Sequence, residues 1–169
     1  MNAPTAIYNL CSNPRMLAEH CKPTNCTIGM TSDGGSLWLT ATDNSSNAFV
    51  ELPPIDVSKL NGVTLRCAVE TDGSGTVSLP AICYMRFPDN GQLIGPNAHL
   101  KGTSWTKGKI IWNATVPSGM KTMVPVVTAP ADRSKSAWWA RMIVSTVADA
   151  TTLSNVTGKN YFDGSTRPE

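Results

Sequence analysis

Two histidines, five cysteines and twelve carboxylates are the groups of this 169-residue chain that could serve as acids, bases, nucleophiles or metal ligands. Their spacing supports none of these roles. Nucleophilic catalysis needs a Ser or Cys held beside a base that a third group orients. His20 and His99 are the only imidazoles, and neither sits in a local signature of that kind. Cys11, His20, Cys21 and Cys26 carry the right atoms for zinc but lack the C-x2-C knuckle of a tetrahedral site, and adjacent His20 and Cys21 point apart on extended backbone. The aspartates, among them Asp33, Asp43, Asp56, Asp72, Asp89, Asp132, Asp149 and Asp163, mostly lie near Gly, Asn, Ser or Pro, where carboxylates brace turns. Nothing sets two of them on facing strands, as glycoside hydrolysis requires. The run Gly102-Thr103-Ser104-Trp105-Thr106-Lys107-Gly108 has the wrong order for a phosphate loop. The expectation is no catalytic residue, no metal and no cofactor.

Tryptophan is the informative side chain. Trp38, Trp105, Trp112, Trp138 and Trp139 are five of only eleven aromatics. On a strand, adjacent Trp138 and Trp139 must face opposite sides of the sheet, so one belongs to the core and the other faces out. An exposed indole suits stacking on the C–H face of a sugar or burial against a protein partner. Trp38, Trp105, Trp138 and Trp139 are therefore the candidates for carbohydrate binding or for an interface.

The elements that must position them read as strands. In Val63-Thr64-Leu65-Arg66-Cys67-Ala68-Val69-Glu70 the odd positions are apolar, which predicts Val63, Leu65, Cys67 and Val69 inward and Thr64, Arg66 and Glu70 outward. Similar segments cover 36–42, 48–52, 77–87, 109–116, 120–128 and 137–146, with Pro88-Asp89-Asn90-Gly91 as a strong turn. Helix signals are confined to Asn13–His20, with Asn13 as cap and Pro14 at the first position, and to one turn at 149–153. With 12 Pro and 13 Gly against 4 Glu, and strands punctuated by turn residues, the expected fold is an all-β antiparallel β-sandwich.

Composition narrows the function. Only 15% of residues are charged, whereas 19 Thr, 15 Ser and 12 Asn carry the polarity, which excludes a charge-rich disordered chain. The net charge of +2 is spread singly, so no patch for nucleic acid or an anionic membrane exists. No apolar run is long enough to insert in a membrane, and the first residues lack the regions of a signal peptide. The length fits a single domain over 1–169 with short tails at about 1–6 and 164–169. Five cysteines without regular spacing read as reduced thiols in a chain too long to need disulfide staples.

Three motifs then stand in a familiar order. Tyr8-Asn9-Leu10-Cys11-Ser12-Asn13-Pro14 resembles the N-L-x-x-N-P opening strand of jelly-roll, carbohydrate-binding-module-like domains in bacteriophage structural proteins. Trp105 with Trp112-Asn113-Ala114-Thr115-Val116-Pro117-Ser118-Gly119 is similar to their W…T-x-x-x-P-x-G hairpin, and Tyr161-Phe162-Asp163-Gly164-Ser165-Thr166 to their closing element. The resemblance spans about residues 7–166 and implies two packed antiparallel sheets and no catalytic residues. The penultimate strand of such domains often carries an Asp near a structural calcium; Trp138-Trp139-Ala140-Arg141-Met142-Ile143 lacks it, so no calcium is expected.

What the resemblance implies for function is a virion surface component, a minor tail or capsid-decorating protein assembled in the host cytoplasm. Its partners would be other virion structural proteins, copies of itself and a host cell-surface glycan, with no nucleic acid and no membrane insertion. The alternative is a stand-alone or appended carbohydrate-binding module of a polysaccharide-active system.

Overall fold

Side-chain alternation divides this chain between an inner and an outer surface. The computed structural model describes residues 7–44, 47–71, 83–96 and 108–157. Among them run β1 (Lys22–Thr24), β2 (Cys26–Met30), β3 (Leu37–Ala41), β4 (Phe49–Glu51), β5 (Ile55–Asp56), β6 (Thr64–Thr71), β7 (Cys83–Phe87), β8 (Gln92–Ile94), β9 (Gly108–Thr115), β10 (Thr122–Thr128), β11 (Ser136–Thr146) and helix α1 (Val147–Thr157). One sheet has the order β1-β4-β10-β7-β8, with β5 also paired to β10; the other has the order β2-β3-β11-β6-β9. Neighbouring strands pair antiparallel throughout both sheets. The expected all-β sandwich is the observed fold.

The core lies between the sheets. Leu37 and Leu39 of β3, Leu65, Cys67 and Val69 of β6, and Met85 and Phe87 of β7 are fully buried there. Trp139 is also fully buried, and its Nε1–H donates to the Thr128 carbonyl at 3.2 Å, tying β11 of one sheet to β10 of the other. Ala68, on the outward side of β6, is buried too, because α1 lies over it and packs Leu153 with Ile143 and Ile7. The outward face of β6 is thus only partly solvated.

Several expectations need correction. The segment Trp112–Gly119 is not a hairpin: β9 pairs with β6, whereas β10 belongs to the opposite sheet, so the turn at Gly119 carries the chain across the sandwich. Pro14 does not open a helix; only Ala18–His20 form a single 3-10 turn. Asn13 does brace this stretch, accepting from the Leu17 N–H at 2.9 Å and donating to the Leu17 carbonyl at 3.0 Å. The helix at 149–153 is longer, spanning Val147–Thr157, with Asp149 N–H donating to the Thr146 hydroxyl at its start. Strands β1, β2, β5 and β8 escaped the sequence reading. The closing Tyr161–Thr166 motif and the tails fall outside the described residues.

The opening motif forms no regular strand, yet it completes a sheet. β3 covers β11 only along Ser136–Trp139, leaving the rest of that edge unpaired. Asn9 fills the gap: its Nδ2 donates to the Met142 carbonyl at 3.0 Å and its Oδ1 accepts from Val144 N–H at 3.0 Å. Leu10 N–H donates to Val144 O at 2.7 Å, and Met142 N–H to Pro14 O at 2.9 Å. Side chain and backbone together replace a strand, satisfying groups whose burial without partners is costly.

All five cysteines are free thiols. Burial pushes Cys11 up to about 12 and Cys21 up to about 11, and raises Cys26, Cys67 and Cys83 as well. Because the thiolate is the reactive form, the buried Cys11, Cys67 and Cys83 are packing residues rather than nucleophiles. Four aspartates brace turns or loops. Asp33, Asp56 and Asp132 accept from backbone N–H groups two residues on, and Asp89 from Lys121 and Thr122 N–H. These bonds and those from neighbouring hydroxyls hold their carboxyls below the usual range.

Leu65→Ala should cost on the order of 2 to 5 kcal/mol in urea unfolding. Asn9→Ala should cost about 1 to 3 kcal/mol, since it orphans two β11 groups; no loss for the latter would contradict its strand-replacing role. In the folded protein at about pH 8, a thiol reagent should leave Cys11, Cys67 and Cys83 unmodified, and reductant should not move the melting temperature. Rapid labelling of all five would show the core to be open.

Candidate functional site

Trp38 sits on β3 between Leu37 and Leu39, which point inward, so strict alternation sends its indole to the outer face. Trp138 is its directly opposed partner across the β3/β11 pair. Directly opposed residues on one face bring their side chains together. The two partly exposed indoles are therefore neighbours on the same outer surface. Trp139, one residue on, faces the core and is removed from the candidates for contact with any ligand or partner. Trp105 lies outside the described residues.

On the other side of Trp38 stands Gly29 of β2, its register partner. A Cβ built there would lie 2.5 Å from Trp38 Cζ2 and 2.8 Å from its Nε1, closer than real contacts allow. The indole thus lies over the bare backbone of β2. Its Nε1–H donates to the Met30 carbonyl at 3.2 Å, which fixes the ring's position. Sequence reasoning did not single out Gly29; its partnership with Trp38 needed the register.

Polar groups surround this pair. Thr40 and Ser136, the next opposed pair toward the end of β3, share a hydroxyl hydrogen bond of 2.6 Å. On the core side of the sheet, the buried Thr71 donates its Oγ1–H to the Trp138 carbonyl at 2.9 Å and so holds the backbone that carries the indole. Farther along β11, Arg141 Nε pairs with Glu70 at 2.8 Å. Lys109 is the register partner of Glu70; desolvation lowers its pKa, and Glu70 acts in the opposite direction. An aromatic surface flanked by hydroxyls and charges can stack on an apolar ring face while polar groups bond its rim.

The opposite sheet presents a second outward group that sequence reasoning did not single out. Tyr84 on β7 and Glu51 on β4 flank Val126 of β10, and Arg86 forms an ion pair with Glu51. Desolvation raises the Tyr84 phenol. The signal was present in the alternation of Tyr84 and Arg86 against Cys83, Met85 and Phe87, but only the sheet order brings Glu51 to them. Among the described residues, no cluster of three or more His, Cys, Asp or Glu has metal-binding geometry.

With this geometry in hand, comparison with known proteins is informative about the scaffold. No protein-family model and no curated protein matches the chain. Among solved structures, it is similar to the CBM22-1 xylan-binding domain of Paenibacillus barcinonensis Xyn10C, with a TM-score of 0.56 and 11% identity over 87% of this chain and 97% of that one. The fold is a carbohydrate-binding-module-like jelly roll. It is also similar to the enzymatically active domain of bacteriophage CBA120 tailspike protein 4, with a TM-score of 0.54 and 15% identity over 83% of this chain and 22% of that one. A third similar structure holds the CBM22-1 and GH10 modules of Clostridium thermocellum Xyn10B complexed with xylohexaose, with a TM-score of 0.53 and 9% identity over 83% of this chain and 28% of that one. At such identities these likenesses establish the fold.

Because Gly29 leaves room for the indole, Gly29→Ala should displace Trp38. A shift in tryptophan emission and a stability loss of about 1 to 3 kcal/mol are expected. An unchanged spectrum would mean that the ring does not lie over β2.

Proposed function

We propose that the chain is a non-catalytic, glycan-binding surface protein of a bacteriophage particle, a minor tail or capsid-decorating component acting in assembly and host adhesion. The observation that carries the binding half of this reading is the Trp38–Trp138 pair, two adjacent indoles on an outer sheet face with Gly29 beneath one of them. Stacking on such a surface needs no deep pocket. The affinity of one site is then weak, and many copies on one particle raise it through avidity.

The virion half rests on the ordered phage-like motifs and is supported by the likeness to a tailspike domain. Five free thiols also suit assembly in a reducing cytoplasm. The second reading, a carbohydrate-binding module of a polysaccharide-active system, is favoured by the match to nearly the full length of a xylan-binding domain. The two readings share the binding surface and differ in where the protein works.

Trp38→Ala and Trp138→Ala should each weaken glycan binding on an array by about tenfold or more, in line with losing an aromatic stacking contact and its buried area, while Tyr84→Ala leaves it unchanged. Equal loss at Tyr84 alone would move the site to the other sheet. Mass spectrometry of purified particles separates the two readings: presence in the virion supports the first, absence with retained glycan binding the second.

A further inference from the structure

Helix α1 does not close fully onto the sheet beneath it. Between α1 and strands β6, β9 and β11 remains a cavity of about 250 Å³. The space exists because Ala68 on the sheet and Ala150 on the helix are small where the two layers face each other. It lies on the same outer face as Trp38 and Trp138, farther along β11.

The cavity's chemistry is asymmetric. On the sheet side, Ser145 is only 1% exposed, and its Oγ has no hydrogen-bond partner among the described residues. A buried hydroxyl left this way has unmet donor and acceptor capacity. Its register partner Arg66 also lines the cavity. The Arg66 Nε–H makes a long bond of 3.4 Å to the neutral Asn113 Oδ1, and no carboxylate among the described residues pairs with the guanidinium. Apolar Ile143 and Leu153 form one wall, while Ser154 and Asn155 bring uncharged polar groups from the helix. The lining holds a cation and no anion.

We infer that this cavity binds one carboxylate-bearing sugar ring, such as a uronic acid unit, at a site separate from the Trp38–Trp138 surface. Arg66 holds the carboxylate in a charge-assisted bond, for which a guanidinium's planar fork is suited. Ser145 donates to a ligand oxygen, the ring's C–H face rests on the half-exposed Ile111 of β9, and the helix groups meet its hydroxyls. The volume lies just under the roughly 300 Å³ at which pockets for drug-sized ligands begin, so one ring fits and an oligosaccharide does not. This site does not rest on the tryptophan surface for its chemistry.

The test is an amide-resolved NMR titration of the full chain with glucuronate, with glucose and acetate as separate probes. Saturable shifts at Ala68, Ile143, Ser145 and Ala150 are expected, with glucuronate bound at least about tenfold more tightly than either probe. Arg66→Gln should weaken glucuronate by a similar factor. Ala150→Leu, which fills the cavity from the helix side, should abolish binding with the β-sheet circular dichroism retained, and Trp38→Ala should leave it unchanged. Four results would each overturn the inference: no saturation, shifts confined to Trp38 and Trp138, glucose binding as tightly as glucuronate, or acetate binding as tightly. Loss on Trp38→Ala alone would instead assign the acid to the tryptophan surface, again defeating a separate site.

Discussion

The backbone irregularity at Arg141 sets the two faces of β11, and the rest of the outer surface follows from it. Arg141 takes a positive φ of 53°, and the register with β6 shifts between Ala140 and Ile143. Before the shift, Trp138 faces out and Trp139 in; after it, Met142 and Val144 face in while Ile143 and Ser145 face out. An uninterrupted strand would have sent Arg141 into the core and Met142 to the surface. Because side chains alternate with a period of two, one inserted residue is enough to keep both halves of the strand apolar inside. The exposed Arg141 then becomes free to meet Glu70.

That irregularity joins two surfaces of different character on one strand. Its first half presents the indole of Trp138 beside Trp38, a broad and shallow contact area. Its second half presents Ser145 and Ile143 beneath a helix, at the floor of a partly open cavity. Shallow aromatic surfaces favour extended, sequence-tolerant contact, whereas enclosed polar groups reward one particular partner. The jelly roll is the common scaffold for both, since a sheet offers many outward positions without disturbing the core.

Much of the fold was legible because the longer strands announce themselves. The alternation of β6 and β7 placed Leu65, Cys67 and Met85 correctly in relation to their neighbours, whereas on β11 it required one inward tryptophan without deciding between Trp138 and Trp139. Short strands such as β8, three residues long, leave too little periodicity to read, and Pro23 disguises β1. Helix α1, rich in Thr and Val, has weak intrinsic propensity and is held by the burial of Leu153 and the bond to Thr146, neither of which is visible locally. The site was half legible. Trp38 and Trp138 were named for their chemistry, but that they stand side by side depends on a pairing about a hundred residues apart in sequence. Gly29 and Ser145 gain meaning only from what packs on or fails to pack on them.

Asn9 bonds to Met142 and Val144, 133 and 135 positions later in the chain. Contacts of such separation raise the contact order and slow folding, because the entropy of closing a long loop must be met before the contact forms. During synthesis, which proceeds from the N-terminus at about 5 to 20 residues per second, the opening segment would have no partner until β11 has been made. For several seconds, then, Ile7, Leu10 and Cys11 would stand as apolar surface available to chaperones, and their docking would mark the completion of the second sheet.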